Sequence, residues 1–194
     1  MIRGPLLALV VLTLLLQGCA AHVTAPRDNG VTIDSPQLRA LKKSAGIADC
    51  PSTSAKPPSG GLPDVTLSCL GGGRAVRVAQ LRGPMVVNLW AQWCAPCRKE
   101  LRYYQAFARR YAGRVAVLGI DWQDTQPGAA LSLARDNGVT YPQLADPTPR
   151  IKGQALPRLI LLDSTGRIVF SEYAEIGSVA ELEGIVVRHL GVHP

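Results

Sequence analysis

Histidine is scarce in this chain of 194 residues: there are three, and His22, His189 and His193 sit near the termini without paired spacing. A zinc site would need such a pair beside any Cys-x-x-Cys, so no bound metal is expected. Basic residues form no run with interleaved aromatics, although the formal net charge is +7. That argues against nucleic acid and reads as a solvated basic surface. Charged residues are few, at 18% against 47% hydrophobic, which fits a globular chain rather than a disordered one. The apolar run Leu6 to Leu16 is about 11 residues, short of the roughly 20 that span a bilayer as a helix.

What the chain has begins at that run. Arg3, a short apolar core and small residues at its end describe a secretory signal. Leu16-Gln17-Gly18-Cys19 further resembles the bacterial lipobox, where cleavage before the cysteine leaves it as the lipidated N-terminus. The alternative is an ordinary signal or an uncleaved anchor with Cys19 incidental. On the lipobox reading, 1–18 is signal peptide and 19–34, polar and without periodicity, is tether. The rest is a helix and loop over 35–61 and one domain over 62–194, lying outside the cytoplasm, where disulfides persist.

The domain is organised around one stretch. Met85 to Trp90 is an apolar strand pattern; it breaks at an exposed-looking Cys94-Ala95-Pro96-Cys97. Arg98 to Tyr111 then runs without glycine or proline, with Leu101, Tyr104, Ala108 and Tyr111 at helical spacing. Strand, turn and helix place Cys94 at a helix N-terminus, where free N–H groups and the dipole stabilise an anion. A thiolate there has a depressed pKa, in the range of roughly 3.5–7.5, and Arg98, Lys99 and Arg102 push the same way. Cys97 is one turn on, close enough to bridge to Cys94. Pro96 stiffens the first turn.

Strand-Trp-Ala-x-Trp-Cys-x-Pro-Cys-helix resembles the active site of the thioredoxin superfamily, and Cys97-Arg98-Lys99-Glu100-Leu101 resembles its TlpA/ResA-like extracytoplasmic branch. The resemblance implies an α/β, thioredoxin-like three-layer fold, with a central mixed β-sheet flanked by helices and an N-terminal hairpin extension. It implies a thiol–disulfide oxidoreductase with Cys94 attacking and Cys97 resolving, and with no bound cofactor. It places Pro157 opposite the disulfide in the cis form, with Leu156 offering its backbone to an extended substrate. Ala155-Leu156-Pro157-Arg158 departs from the usual Thr or Val before that proline and Thr after it, which bears on substrate preference. Thioredoxins carry a buried Asp before the motif; here Asn88 stands there, and Glu100 is the carboxylate the branch would use to deprotonate Cys97. The other reading of Glu100 is a surface residue paired along its helix. Arg102 replaces a common proline, so a helix kink is not expected.

Trp93, beside Cys94, reads as an apolar docking face together with Ala95 and Pro96; Trp90 reads as core by alternation. Trp122 also reads as core. If Cys19 is acylated, four thiols remain; pairing Cys94 with Cys97 leaves Cys50 with Cys69. A structural bridge is the preferred reading there, against two free thiols or a second redox pair, because neither cysteine sits at a helix N-terminus with basic neighbours.

Elsewhere, Ser35-Pro36 opens a short helix ended by Gly46, and Leu62–Leu67 with Ala75–Ala79 make a hairpin around Leu70 to Arg74. Val115–Asp121 is a second buried strand and Pro127–Asn137 a helix. Leu159–Leu162 and Ile168–Phe170 form a hairpin, and Ser178 with Glu181 caps a last helix. The implied partners are proteins bearing thiols or disulfides and a membrane electron donor or acceptor, with the enzyme a monomer held by its lipid. Reduction, in the manner of cytochrome c maturation, is the favoured direction. The alternatives are an exported oxidase for folding, or a tethered binding protein without turnover; a thiol peroxidase would need a different local motif.

Overall fold

The computed structural model describes residues 30–152 and 155–194. The expected signal over 1–18, Cys19 and most of the tether lie outside those residues. The chain is already docked by Ile33, which is buried and accepts the Gly71 N–H at 3.1 Å. The described part of the tether therefore belongs to the domain, because Val31 and Ile33 both pack on its core.

In order, the elements are α1 (Pro36–Ala45), β1 (Thr66–Cys69), β2 (Val76–Arg77) with a 3-10 turn over Val78–Gln80, β3 (Met85–Trp90), α2 (Ala95–Arg110) and β4 (Ala116–Trp122). They continue with α3 (Pro127–Asp136), β5 (Gln143–Asp146), β6 (Arg158–Leu162), β7 (Ile168–Tyr173) and α4 (Val179–Leu190). The strands form one mixed sheet in the order β2-β1-β5-β4-β3-β6-β7. β3 runs parallel to β4, and β4 to β5; β6 and β1 join antiparallel. Each parallel pair is linked through a helix, as a crossover requires.

Alternation along the strands divides the core. Val86, Trp90, Val117, Leu159 and Leu161 join a cluster with residues of α2, α3 and α4. Val87, Leu89, Leu118, Ile120, Ile160 and Leu162 join Cys50, Leu62, Val78, Leu81 and Ile151 on the other. The sheet is thus the middle layer, as expected, with the hairpin β1–β2 extending it at the N-terminal side.

Local chemistry sets the helix ends. Ser35 Oγ accepts the Leu38 N–H at 3.2 Å, and Gly46 closes α1 in the left-handed conformation. Ser178 Oγ accepts from Glu181 N at 3.1 Å to open α4. α2 begins at Ala95 rather than Arg98, since Cys94 itself caps it and Pro96 sits in the first turn. It runs unbroken past Arg102, which stacks on Tyr103 at 4.8 Å.

β5 was not expected. Gln143-Leu144-Ala145-Asp146 is short, polar at both ends and flanked by Pro142 and Pro147, so it carries no strand pattern. All four residues are nonetheless buried, because polar side chains here are paired internally. Gln143 Oε1 accepts the Trp90 indole N–H at 2.9 Å, and Asp146 accepts the Arg150 and Ile151 N–H groups at 3.0 Å. Gly119 on β4 leaves room for this: a methyl there would lie 1.9 Å from Gln143 Oε1.

Candidate active site

Cys94 and Cys97 are bridged, with Cα atoms 5.3 Å apart. Cys94 is the N-cap of α2, and its Sγ accepts the Cys97 backbone N–H at 3.3 Å. Basic Arg98 and Lys99 follow in the first turn with no acidic residue among them. The turn is less open than the sequence suggests. Cys94 is 5% exposed and Cys97 1%, so both residues are buried, the second more deeply. The exposed part of the motif is Trp93, at 51%, with Ala95 beside it and Pro96 half-buried. The Trp93 indole N–H donates to the Gln123 carbonyl at 3.0 Å, which ties this ring to the loop after β4. Trp90 and Trp122 are core, as their patterns predict; the Trp122 indole donates to Ile151 O at 2.9 Å.

Leu156–Pro157 is cis, as the resemblance implied, and Gly83–Pro84 is a second cis bond that nothing in the sequence indicated. β3 and β6 pair Leu89 with Arg158. One step further along this register, Pro157 faces Trp90 at the end of β3 from which the Cys94 turn departs. Pro157 is buried and Leu156 half-buried, packed against both core clusters. Arg158 is turned away onto Ser171, donating to its Oγ at 3.2 Å and its carbonyl at 3.1 Å.

Beneath the helix start, Cys97, Glu100 and Tyr104 share the inner face of α2 at three- and four-residue spacing. Glu100 is 3% exposed, and neither of its oxygens makes a hydrogen bond of good geometry among the described residues. Burial pushes its carboxyl from 4.5 to about 8; the Ile176 backbone opposes this, while Glu175 and Glu181 add to it. Tyr104, buried beside it, is pushed well above the usual phenol range by burial and then by Glu100. The reading of Glu100 as a surface residue paired along its helix is therefore excluded. A cleft of about 420 Å³ borders Glu100 and is lined also by Ala95, Pro96, Tyr103 and Ile176.

Sequence reading missed two buried carboxylates at the end of β4 and in the loop after it. Asp124 is 2% exposed; its Oδ2 accepts the Gln92 N–H at 2.9 Å and its Oδ1 accepts that of Gln126 at 2.8 Å. Asp121, opposite Trp90 in the β3–β4 register, is 1% exposed, and burial followed by the charge of Asp124 pushes its carboxyl well up. An aspartate closing an apolar strand was the available signal. Toward the β1 edge of the sheet, Cys50 and Cys69 are bridged, with Cα atoms 5.9 Å apart, so they are not two free thiols.

A model of the AhpC/TSA family matches residues 60–170. The chain belongs to this family. Its fold is thioredoxin-like: a solved DsbF homologue from Corynebacterium diphtheriae superposes with a TM-score of 0.57 at 25% identity, covering 74% of this chain and 99% of that one. The thiol:disulfide interchange protein DsbE of Allochromatium vinosum is 30% identical over 116 residues, 56% of this chain and 63% of the relative. The thiol-disulfide oxidoreductase ResA of Bacillus thuringiensis is 28% identical over 103 residues, 50% and 59% of the two chains. This AhpC/TSA chain thus spans less than two thirds of either curated relative. α1, Lys42 and Cys50 precede the residues that the family model matches. No helix among the described residues is long and apolar enough to cross a membrane.

Proposed function

We propose that this chain is a protein thiol–disulfide oxidoreductase that works as a reductant outside the cytoplasm. The observation that carries the reading is a cysteine pair at the cap of α2, with a backbone N–H on the first sulfur and a buried carboxyl below the second. In the reduced form, Cys94 is held as a thiolate by the helix N-terminus and attacks a substrate disulfide, forming a mixed disulfide and releasing one substrate thiolate. Cys97 then loses its proton and attacks Cys94 Sγ. The second substrate thiolate leaves, and the Cys94–Cys97 bridge is restored; two electrons have passed to the substrate.

Glu100 exchanges the Cys97 proton. A carboxyl at about 8 lies close to the roughly 8.5 of an ordinary thiol, so transfer between them is nearly even in energy. The buried pair needs such a relay, since Cys97 is 1% exposed. Trp93, Ala95 and Pro96 form the docking face, and Leu156 and Pro157 border it from the turn before β6. No metal or cofactor takes part.

The substrates are proteins bearing disulfides, with the paired cysteines of an apocytochrome c as the favoured class, and a membrane dithiol protein returns the electrons. The thiol–disulfide chemistry is supported by the similarity to DsbE and ResA; the direction and the substrate class follow from the resemblance of Cys97-Arg98-Lys99-Glu100-Leu101 to the TlpA/ResA-like branch. Cys19, as a lipid-bearing N-terminus, would hold the monomer at the membrane; mass spectrometry of the mature N-terminus tests that. The deciding experiment is the Cys97→Ser variant. It should accumulate mixed disulfides at Cys94, and mass spectrometry names the partners. Insulin reduction by the wild type with no peroxide consumption is the companion result. Absence of both trapped partners and insulin reduction would leave the binding-protein reading standing.

A further inference from the structure

Neither Cys50 nor Cys69 sits at a helix N-terminus, yet a basic side chain from α1 reaches the bridge in three dimensions. Lys42, in the last turn of α1, is 5% exposed, and its Nζ lies 3.3 Å from Cys69 Sγ. Its other partners are Asp49 Oδ1 at 3.0 Å and the Gly72 carbonyl at 2.9 Å. The Asp49 side chain is 90% exposed, so water screens much of its charge. A carbonyl is neutral, and a disulfide sulfur is a poor acceptor. The buried ammonium is thus only partly compensated while the bridge is closed.

We propose that Cys50–Cys69 is a second redox centre, reducible by an external dithiol, in which Lys42 receives Cys69 as a thiolate. The other product of reduction also has a partner in place. Cys50 Sγ lies 3.2 Å from the Gln143 carbonyl. In the bridge that sulfur has no hydrogen to give; as a thiol it donates one to the carbonyl. Reduction therefore converts one poor contact into an ion pair and one idle contact into a hydrogen bond.

The electron count closes. A donor thiolate attacks Cys50 Sγ, the Cys50–Cys69 bond breaks, and Cys69 leaves as the thiolate beside Lys42. The donor's second thiol gives up its proton and attacks the donor sulfur bound to Cys50. Cys50 leaves, takes up one proton, and the donor departs as a disulfide, two electrons poorer. Attack is eased by a leaving thiolate that the protein stabilises. A cleft of about 550 Å³ lies beside this corner, walled by Lys42, Asp49 and three consecutive residues without side chains, Gly71, Gly72 and Gly73. A Cβ at Gly73 would lie 3.5 Å from Lys42 Nζ and 3.7 Å from Cys69 Cβ.

The test is equilibration of the full mature chain with graded dithiothreitol ratios under native conditions. Acid quenching, differential alkylation and peptide mass spectrometry then read each cysteine pair separately, while near-ultraviolet circular dichroism reports the fold. The Cys50–Cys69 pair should open with the fold intact. In Lys42→Met its reduction constant should fall at least tenfold, which is about 30 mV for a two-electron couple, and Lys42→Arg should restore most of it. Asp49→Asn, which removes the competing anion, should shift the constant the opposite way, and it carries the test if Lys42→Met does not fold. The Cys94–Cys97 constant should stay put in all three, so failure of the proposed oxidoreductase reading would appear on that pair alone. A bridge that opens only as the dichroism signal is lost, or a midpoint unmoved by these substitutions, overturns the proposal.

Discussion

Asp124 holds the chain two residues before the proposed nucleophile: its carboxylate takes the Gln92 N–H at 2.9 Å from a position 2% exposed to solvent. Both of its oxygens are committed, one to each side of the site's supporting loop. Asp124→Ala leaves two backbone donors short of an acceptor. The expected loss is about 1–3 kcal/mol, the cost of stranding a buried hydrogen-bonding group. Urea unfolding of the oxidised protein measures it, and Asp124→Asn, which keeps one accepting oxygen, should lose less.

Glu100→Gln should leave the attack of Cys94 untouched and slow the resolving step by roughly a hundredfold, the lower end of what a placed base contributes. The ionised carboxylate is the acceptor, so the wild-type resolving rate should climb as pH rises through about 8 and then level. In the glutamine variant that rise should follow the Cys97 thiol alone. Stopped-flow decay of a preformed mixed disulfide across pH reads both. An identical profile in the two proteins would remove Glu100 from the mechanism.

The same carboxyl makes the fold pH-dependent. Its pKa is raised from 4.5 to about 8 on folding, so the native state binds the extra proton between those values. This contribution is fully present below about 4.5 and is lost as pH rises through about 8. Unfolding free energies measured over that window should slope downward in the wild type and less steeply in Glu100→Gln.

Gly119→Ala should destabilise the protein by about 1–3 kcal/mol, the usual range for overpacking. The added methyl meets Gln143 Oε1 at 1.9 Å and forces it off the Trp90 indole. Combining it with Gln143→Ala should recover part of that loss, a coupling that a double-mutant cycle in denaturant would reveal.

Removing the outer bridge with Cys50→Ala and Cys69→Ala together should cost about 3 kcal/mol, given a loop of this size in the chain-entropy model. The sequence separation is 19 residues. Insulin reduction through Cys94 should persist, since the bridge lies at the β1 end of the sheet and the active pair at the end of β3.

The reactive half of the fold was legible because its chemistry is local. Cys94, Pro96 and Cys97 lie within one turn, and the apolar run before them and the 3.6-residue period after them both report on neighbours in sequence. Ser35, Gly46 and Ser178 announced helix ends for the same reason. What escaped was polar burial satisfied across the sheet. Gln143 and Asp146 look like loop residues until Trp90, Arg150 and Ile151 are brought to them from distant segments. Lys42 reads as a solvated charge on a short helix, and only the return of β1 beneath it sets its ammonium on Cys69. Asp124 was hidden in the same way, since Gln92 reaches it from another loop.

The unequal setting of the three indoles has an optical consequence. Trp90 is wholly enclosed and Trp122 nearly so, whereas Trp93 stands half in solvent one residue from the bridge. Disulfides quench excited indoles by accepting an electron at short range. Opening the Cys94–Cys97 bond should therefore brighten a red-shifted emission from this ring, giving the protein a built-in reporter of its oxidation state that needs no label.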